Sequence, residues 1–587
     1  MLKQHFLTLV FFIFIFILII STYQDYGLPW DEKIFFNTGK YYAINTLDFL
    51  RLPHNLSNNG FAPTPYHIKG HGVFSDVLIV FASLPFRNFN FESLHLLRAL
   101  SSLPIFILVY WIVSRLLSKS YGFISLVFLL LFPRFYPEIF YNAVDVPTTL
   151  FFTISLSYFI YYAQSKQTFL KSIIFGLILA VTINQRLLLF YLPIVNFFFL
   201  LVGVILNEVK RSEGSSQRSE RQNAYARFFA EFTLSLSKVL RMTKWGNFFA
   251  NQLTIFISTI FFLHLTNPYL LSHPIVGLFE IVQSTKQYPW NADVLFNGRF
   301  YQAGFKPLPW YYLLKSMLIT IPPLTTVLFF IGNFRILSYS LFTKMFPIRS
   351  RPSTIGNWIP LYVLFIFYFP IILTFIFKPT LYDSWRQFLF LTIPIIIIAM
   401  LGLEWIWSTS HSGERKRVQN RSSEQRFRSP LLPSMAGFEG QASRNDKIIL
   451  FFKFIIGAWI FISLGFTVAK MINLHPLEYL YYNSLVGGLK GAYGKYETDY
   501  WGLGFKEAVL WFKQNINDPK KTYKIYVEGD PLSSSYYFKP NMQLTNDPVK
   551  ADYIFTFTRW NFHLRHPGKT IYTVERDGVP LIFIKKL

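Results

Sequence analysis

The chain has no cysteine among its 587 residues, and only 15% of it is Asp, Glu, Lys or Arg. The first absence removes disulfides, thiolate metal sites and cysteine nucleophiles. The second removes a conventional water-soluble enzyme, in which about 25% of residues are charged, and with it a disordered protein. Acid is scarcest: 31 Asp and Glu stand against 56 Lys and Arg, a formal net charge of +25. No Walker A motif occurs, and no Gly-rich dinucleotide loop follows a strand, so ATP-driven pumping and dinucleotide chemistry have no support. What is abundant is apolar. Hydrophobic residues make up 52%, aromatic residues 20%, phenylalanine alone numbers 67, and the mean hydropathy is +0.33. In such a chain a basic excess reads first as a topology signal and only then as a nucleic-acid footprint, so no nucleic-acid partner is expected.

A bilayer core takes about 20 apolar residues per helix. Runs of that kind occur at 6–22, 94–117, 121–138, 147–164, 172–189, 190–206, 248–266, 310–334, 358–377, 388–407 and 448–469, which predicts about eleven spans. After the first run the sequence Ile20-Ser21-Thr22-Tyr23 offers no small-x-small cleavage site, so a retained anchor is expected. The run 73–86 is short and holds Asp76, and it reads as an interfacial helix on the outer side. The segments 207–247, 335–357 and 408–447 concentrate the basic residues, among them Lys210, Arg211, Arg335, Lys344, Arg415 and Arg417, and all three fall on one side of an eleven-span chain. By the positive-inside rule that side is cytoplasmic, with the N-terminus inside and the C-terminus outside. The stretches 211–223 and 411–445, rich in Ser, Arg, Gln and Glu, read as disordered cytoplasmic insertions. From about residue 470 the composition changes. Phe505–Gln514 reads as an amphipathic helix, and Tyr523–Glu528, Tyr553–Thr558 and Thr570–Val574 as strands, with Asp577-Gly578 as a hairpin turn before Pro580–Ile584. The expected organisation is a transmembrane domain over 1–469 and a small soluble α/β domain over 470–587 on the outer face.

On this topology Asp25, Asp31, Glu32, Asp48, Asp76, Glu138, Asp145, Glu280, Asp293 and Asp383 lie outside or at the outer boundary, where charge is costly and often functional. Asp31-Glu32 follow Pro29-Trp30 and start a helix, which the helix dipole favours. They read either as charges of that helix or as a carboxylate base held at the membrane surface. Asp145 precedes Val146-Pro147 at the start of a span, and an N-cap explains it completely in structural terms. Arg386 reads as a partner of Asp383 or a snorkelling side chain, and Arg186 as a buried ion pair, unless they grip phosphate. His67 and His71 are four apart but flanked by Gly70 and Gly72, which argues against two metal ligands on a helix.

Several short motifs in this layout resemble one known group. They are the acidic pair Asp31-Glu32 after the first span and Asp145-Val146-Pro147 after the third. The long outer loop adds Tyr288-Pro289-Trp290, Val294-Leu295-Phe296-Asn297-Gly298 and Leu308-Pro309-Trp310-Tyr311-Tyr312. The stretches Tyr382–Phe390, His475-Pro476-Leu477-Glu478-Tyr479, Val486-Gly487-Gly488 and Glu497–Gly502 complete the set. The chain resembles glycosyltransferases of the GT-C superfamily, and within it the protein O-mannosyltransferase-like group (glycosyltransferase family 39), which includes bacterial enzymes that modify lipid A with aminoarabinose. The resemblance covers about residues 1–510. It implies a multi-pass helical GT-C-like fold and inverting transfer of a sugar from a polyprenyl-phosphate donor to a hydroxyl of a protein, lipid or glycan. It implies Asp31 as base with Glu32 as fallback, and Asp145 as the acid that orients the acceptor or helps hold a divalent ion. Mg²⁺ or Mn²⁺ would suit such oxygen ligands. The lipid phosphate needs cations, for which Arg186, Arg386, Arg299 and Lys306 are the candidates. The family's bacterial members place the protein in a bacterial inner membrane with the C-terminal domain periplasmic. The alternative from another class is a multi-pass transporter or lipid-linked-sugar flippase, which would want ionisable residues at mid-membrane and matching halves.

Overall fold

The computed structural model describes residues 2–57, 60–63, 72–86, 89–213, 243–286, 292–303, 308–345, 358–409 and 439–587. A helix stands at each of the eleven predicted places. In chain order, α1 is Leu2–Thr22, α2 is Glu32–Phe49, α3 is Phe74–Ser83, α4 is Phe91–Leu116, α5 is Lys119–Leu130, α6 is Asp145–Gln164 and α7 is Phe169–Gln185. Then come α8, Leu192–Glu213, entered through the 3₁₀ turn Leu187–Tyr191, α9, Thr243–Leu265, and α10, Val276–Lys286. The series continues with α11, Tyr312–Thr320, α12, Pro323–Met345, α13, Ile359–Phe377, α14, Thr392–Thr409, entered through the 3₁₀ turn Arg386–Leu391, α15, Glu439–Leu474, and α16, Phe505–Asn515. Among the described residues, seven helical stretches are long and apolar enough to cross a membrane, and α1, α5, α7 and α12 are shorter apolar helices.

Two boundaries differ from the sequence reading. The run 310–334 is split between α11 and α12, because Pro322 has no N–H to continue the first helix and sits instead just ahead of the second. The run 121–138 is helical only to Leu130 and then turns through residues 132–137. α3 is a separate ten-residue helix, too short to span.

Burial sorts the helices. In the 18-residue apolar window of Arg386–Ser408, 83% of the residues are buried, and this stretch forms the centre of the bundle, whereas in that of Lys453–Leu474 only 11% are, and its apolar side chains face outward. Close approach at the centre depends on small residues. A Cβ on Gly332 of α12 would run into the Ile398 carbonyl, and one on Gly402 of α14 into the Leu328 carbonyl.

The C-terminal region forms a five-stranded sheet of order β4-β3-β5-β7-β6, with β3 Tyr523–Val527, β4 Met542–Leu544, β5 Tyr553–Phe557, β6 Lys569–Arg576 and β7 Val579–Lys586. β3 pairs in parallel with β4 and β5, and β7 runs antiparallel to β5 and β6. Asp577 (φ 50°) and Gly578 (φ 69°) both take positive φ, the geometry that a two-residue hairpin of the right twist demands. α16 lays Phe505, Ala508, Val509 and Phe512 on this sheet. One buried apolar cluster runs without interruption from Phe11 of α1 to Ile584 of β7. A second, two-stranded sheet, β1 Asp293–Phe296 with β2 Arg299–Gln302, touches the segment before α16 through Phe296 and Tyr496. The starts of α2, α6 and the Arg386 turn, the end of α7 and the C-terminal sheet all meet at one end of the bundle, as the ion pairs described next require.

Candidate active site

The segment 137–145 is where the site begins. Asn142 accepts the backbone N–H groups of Val144 (3.0 Å) and Asp145 (2.8 Å) on its Oδ1. Asn142 therefore satisfies the free donors at the start of α6, and Asp145 makes no cap of its own. The N-cap explanation for Asp145 is replaced by a different one. Its carboxylate, 1% exposed, accepts Nδ2 of Asn142 at 3.0 Å and Nη2 of Arg186 at 2.5 Å, and lies 3.6 Å from Nη1 of Arg386. Arg186 comes from the junction after α7 and also donates to the Gln387 carbonyl at 2.9 Å. Arg386 stacks on Trp501 (4.4 Å) and Tyr382 (5.1 Å) and reaches Asp383 at 3.0 Å. Asp383 in turn accepts Nη2 of Arg559 from the C-terminal domain at 2.7 Å. Asp383 (φ 54°) and Ser384 (φ 65°) are both left-handed, a backbone cost that marks a site the surroundings hold in place.

Nε of Arg186 and Nε of Arg386 are buried and find no hydrogen-bond partner among the described residues. Leaving such a donor unmet costs about 1–3 kcal/mol each. Both belong to guanidiniums pinned to the same Asp145, so two unmet donors with positive charge share one neighbourhood.

Asp31 is the residue just before α2, and its side chain makes no cap hydrogen bond. It lies within electrostatic reach of Arg386. It also lines a cavity of about 540 Å³ between the helical bundle and the C-terminal domain, together with Trp30, Lys33, Glu528, Asp530 and Trp560. Glu32 has a different fate. It is 1% exposed, one oxygen takes Arg98, and the other lies 2.8 Å from Nε2 of His95. Glu32 is thus locked in a buried ion pair with α4.

Behind Asp145 sits Glu138, bonded to Asn142 and 3.4 Å from the Tyr500 hydroxyl. Burial, reinforced by the Asp145 charge, pushes its carboxyl up to about 7. Asp499 uses its carboxylate to accept the backbone N–H groups of Gly502 (2.7 Å), Leu503 (3.2 Å) and Gly504 (3.1 Å), which fixes the entry to α16. His475 bridges Glu478 (2.7 Å) and Asp25 (3.0 Å); burial alone would lower its pKa, but the two carboxylates outweigh it and raise it to about 9.

Of the residues singled out in the sequence, Asp145, Arg186 and Arg386 come together, Asp31 lies within electrostatic reach of Arg386, and Glu32 pairs apart from them with Arg98 and His95. Arg299 is exposed on β2 and takes no part in these ion pairs. Lys306, His67, His71, the Tyr288-Pro289-Trp290 motif and most of the basic stretches 211–223 and 411–445 lie outside the described residues. Sequence reasoning assigned no role to Arg98, His95, Arg134 or Arg559. Asp383 and Glu138 carried a local signal, being three residues before Arg386 and four before Asn142; Arg559 carried none. Among the described residues no three His, Asp or Glu side chains gather as a divalent ion requires. The oxygens of Asp145 face two guanidiniums and an amide, a donor environment that fits an anion better than a cation.

An apolar groove of about 830 Å³ opens at Leu187, next in the chain to Arg186, lined by Leu187 and Phe190 of the turn before α8, by Phe197 of α8 and by Phe249, Leu253 and Phe256 of α9.

Residues 75–212 match the family model of dolichyl-phosphate-mannose-protein mannosyltransferases, a GT-C family and the group that the motifs resemble. No curated protein matches the chain. Among solved structures, it is similar to the oligosaccharyltransferase of Archaeoglobus fulgidus in the apo form (13% identity, TM-score 0.41, 90% of this chain and 66% of that one). It is likewise similar to AglB of the same organism in complex with an inhibitory peptide and a dolichol-phosphate (13%, 0.40, 90% and 61%). The chain thus spans just under two thirds of the archaeal protein's length. ArnT from Cupriavidus metallidurans bound to undecaprenyl phosphate is similar at 12% identity and a TM-score of 0.42, with 98% of this chain and 97% of that one covered.

Proposed function

We propose that the protein is an integral-membrane glycosyltransferase that moves a hexosyl or pentosyl unit from a polyprenyl-phosphate donor to a hydroxyl of a protein, lipid or glycan. It does so with inversion, at the outer face of a bacterial inner membrane, with the N-terminus cytoplasmic and the C-terminal domain periplasmic. The observation that carries the reading is the pair of buried, unmet Nε–H donors on Arg186 and Arg386. A phosphate at that place would accept both and balance the positive charge. The 830 Å³ groove beside Arg186 is apolar enough for a prenyl chain, which puts tail and phosphate requirements next to each other.

The chemistry then follows from the residues. An acceptor hydroxyl enters the 540 Å³ cavity, and Asp31 takes its proton. The hydroxyl oxygen forms its bond to the anomeric carbon from the face opposite the phosphate. The bond from that carbon to the phosphate oxygen breaks, and its electron pair leaves on the lipid phosphate. Arg186 and Arg386 stabilise the charge growing on that oxygen. Asp145 holds both guanidiniums in register, and Asp383 and Arg559 hold Arg386 from the other side. A positioned carboxylate base contributes about 10²–10⁴-fold. The test is transfer from a panel of labelled polyprenyl-phosphate sugars by the purified protein in nanodiscs, with native membrane extract as acceptor and mass spectrometry of the product. Product that disappears in Asp31→Asn supports the reading. A folded protein that consumes no donor of the panel overturns it.

A further inference from the structure

A third cavity, of about 240 Å³, shares Trp560 with the 540 Å³ cavity and has no part in the mechanism above. Its walls are the β1–β2 hairpin (Leu295, Phe300), the segment Tyr493–Tyr500 and the loop Thr558–His563. The three walls are tied to one another. Trp560 Nε1 donates to the Asp293 carbonyl at 2.5 Å, Tyr496 donates to Asn297 at 2.8 Å, and the hydroxyls of Thr498 and Thr558 meet at 3.0 Å. Trp560 (φ 52°) and Asn561 (φ 57°) are both left-handed, the kind of strain that is kept where a loop must present particular side chains.

The lining mixes aromatic faces with unmet polar atoms. Tyr493, Tyr500 and Trp560 supply the aromatic rings, with the Arg559 guanidinium 4.4 Å over that of Trp560. Among the described residues, Oε1 of Glu497 and Nδ1 of His563 are buried and find no hydrogen-bond partner. Formal charge in the cavity is small. Burial, and then the neighbouring Asp383, raise the Glu497 carboxyl towards its neutral form, and burial lowers His563 towards neutral imidazole. The Arg559 guanidinium is committed to Asp383 and to the Tyr500 carbonyl. A volume of 240 Å³ exceeds the room of a few waters at about 30 Å³ each and falls below the roughly 300 Å³ of a drug-sized site.

Flat aromatic faces with neutral donors and acceptors around one ring's worth of space are the chemistry that holds a sugar. We infer that this cavity binds a single uncharged pyranose ring. Trp560 lines both this cavity and the one that holds Asp31. The ring bound here is therefore the acceptor unit next to the one that carries the attacking hydroxyl, a role that rests on the glycosyl-transfer reading.

The test uses the full chain in nanodiscs and saturation-transfer NMR with the methyl pyranosides of mannose, glucose, galactose and N-acetylglucosamine. Saturation of at least one of them is expected, with affinity about 10-fold weaker, or 1.4 kcal/mol, in both Tyr493→Ala and Asn561→Gly. Glycine suits the positive φ of position 561, so that variant removes the amide without straining the loop. Thermal unfolding midpoints equal to that of the parent protein show that both variants fold. No saturation of any pyranoside, or an equal signal in both variants, overturns the inference. Donor turnover in the same preparations separates the two readings. Pyranoside bound at this cavity by a protein that consumes no donor upholds the site and sinks the transfer reading; turnover without pyranoside binding sinks the site alone.

Discussion

Two buried carboxylates lie at the same end of the bundle, each held by arginine, and they behave oppositely. Glu32 accepts Arg98 on one oxygen and lies 2.8 Å from His95 Nε2 with the other; among the described residues no Arg98 nitrogen is a buried donor without a partner, and the unmet atom there is Nδ1 of His95. Asp145 also gives both oxygens away, yet its arginines, Arg186 and Arg386, each retain an unmet Nε–H. Burial and pairing are common to both. What differs is whether the arginines keep a donor to spare, and on the glycosyl-transfer reading this separates an ion pair that holds helices together from one that holds a phosphate. The same contrast runs along a single peptide. Asp31 and Glu32 are adjacent, and one step of about 100° around the helix start sends Glu32 into α4 and leaves Asp31 on the cavity wall.

The comparison breaks most visibly at Asp31. Asp31→Asn is expected to lower transfer by about 10²–10⁴-fold while the thermal unfolding midpoint stays in place; unchanged turnover would move the base elsewhere. Next comes the open cluster. Arg386→Lys keeps the charge but removes the planar fork and its Nε–H, and kcat at saturating acceptor should fall by about 10²-fold. A rise in the acceptor KM with kcat intact would instead tie Arg386 to acceptor binding. The closed cluster should respond in stability. Glu32→Gln removes a charged acceptor from Arg98 and should cost about 2 kcal/mol, read as a lower unfolding midpoint, with kcat of the folded fraction unaltered. The smallest effect is a pH slope. Glu138 titrates near 4.5 in an unfolded chain and near 7 in the fold, so between those values the native state keeps a proton that the unfolded chain has released. Its contribution is complete below pH 4.5 and is lost as pH rises to 7, with a slope of at most about 1.4 kcal/mol per pH unit. Unfolding midpoints measured across that window should fall less in Glu138→Gln, which is always neutral.

Much of this was legible in the sequence because it is local. Long apolar runs found the helices. The acids after the first and third runs found Asp31 and Asp145, and Asp577-Gly578 found the last hairpin. The misreadings were local conflicts. Pro322 divides one apolar run into two helices, and Asn142, three residues upstream, takes the cap that Asp145 was expected to make. β4, only Met542–Leu544 with two of three residues exposed, has no apolar alternation to detect. Beyond these, the missing pieces are partnerships across the chain. Arg98 with Glu32, Arg134 with Tyr500 and Arg559 with Asp383 each join segments that no periodicity connects.

The link from Asp383 to Arg559 also has a meaning in time. Ribosomes make the chain from its N-terminus, so Arg386 enters the bilayer long before β5 exists. Until the last sheet has been made and folded, Asp383 has only one of its two guanidiniums. On the glycosyl-transfer reading, a chain not yet extended to Arg559 therefore carries a phosphate grip still short of one ion pair. Strand β5, which leads into Arg559, is thus the latch on that end of the ion-pair cluster.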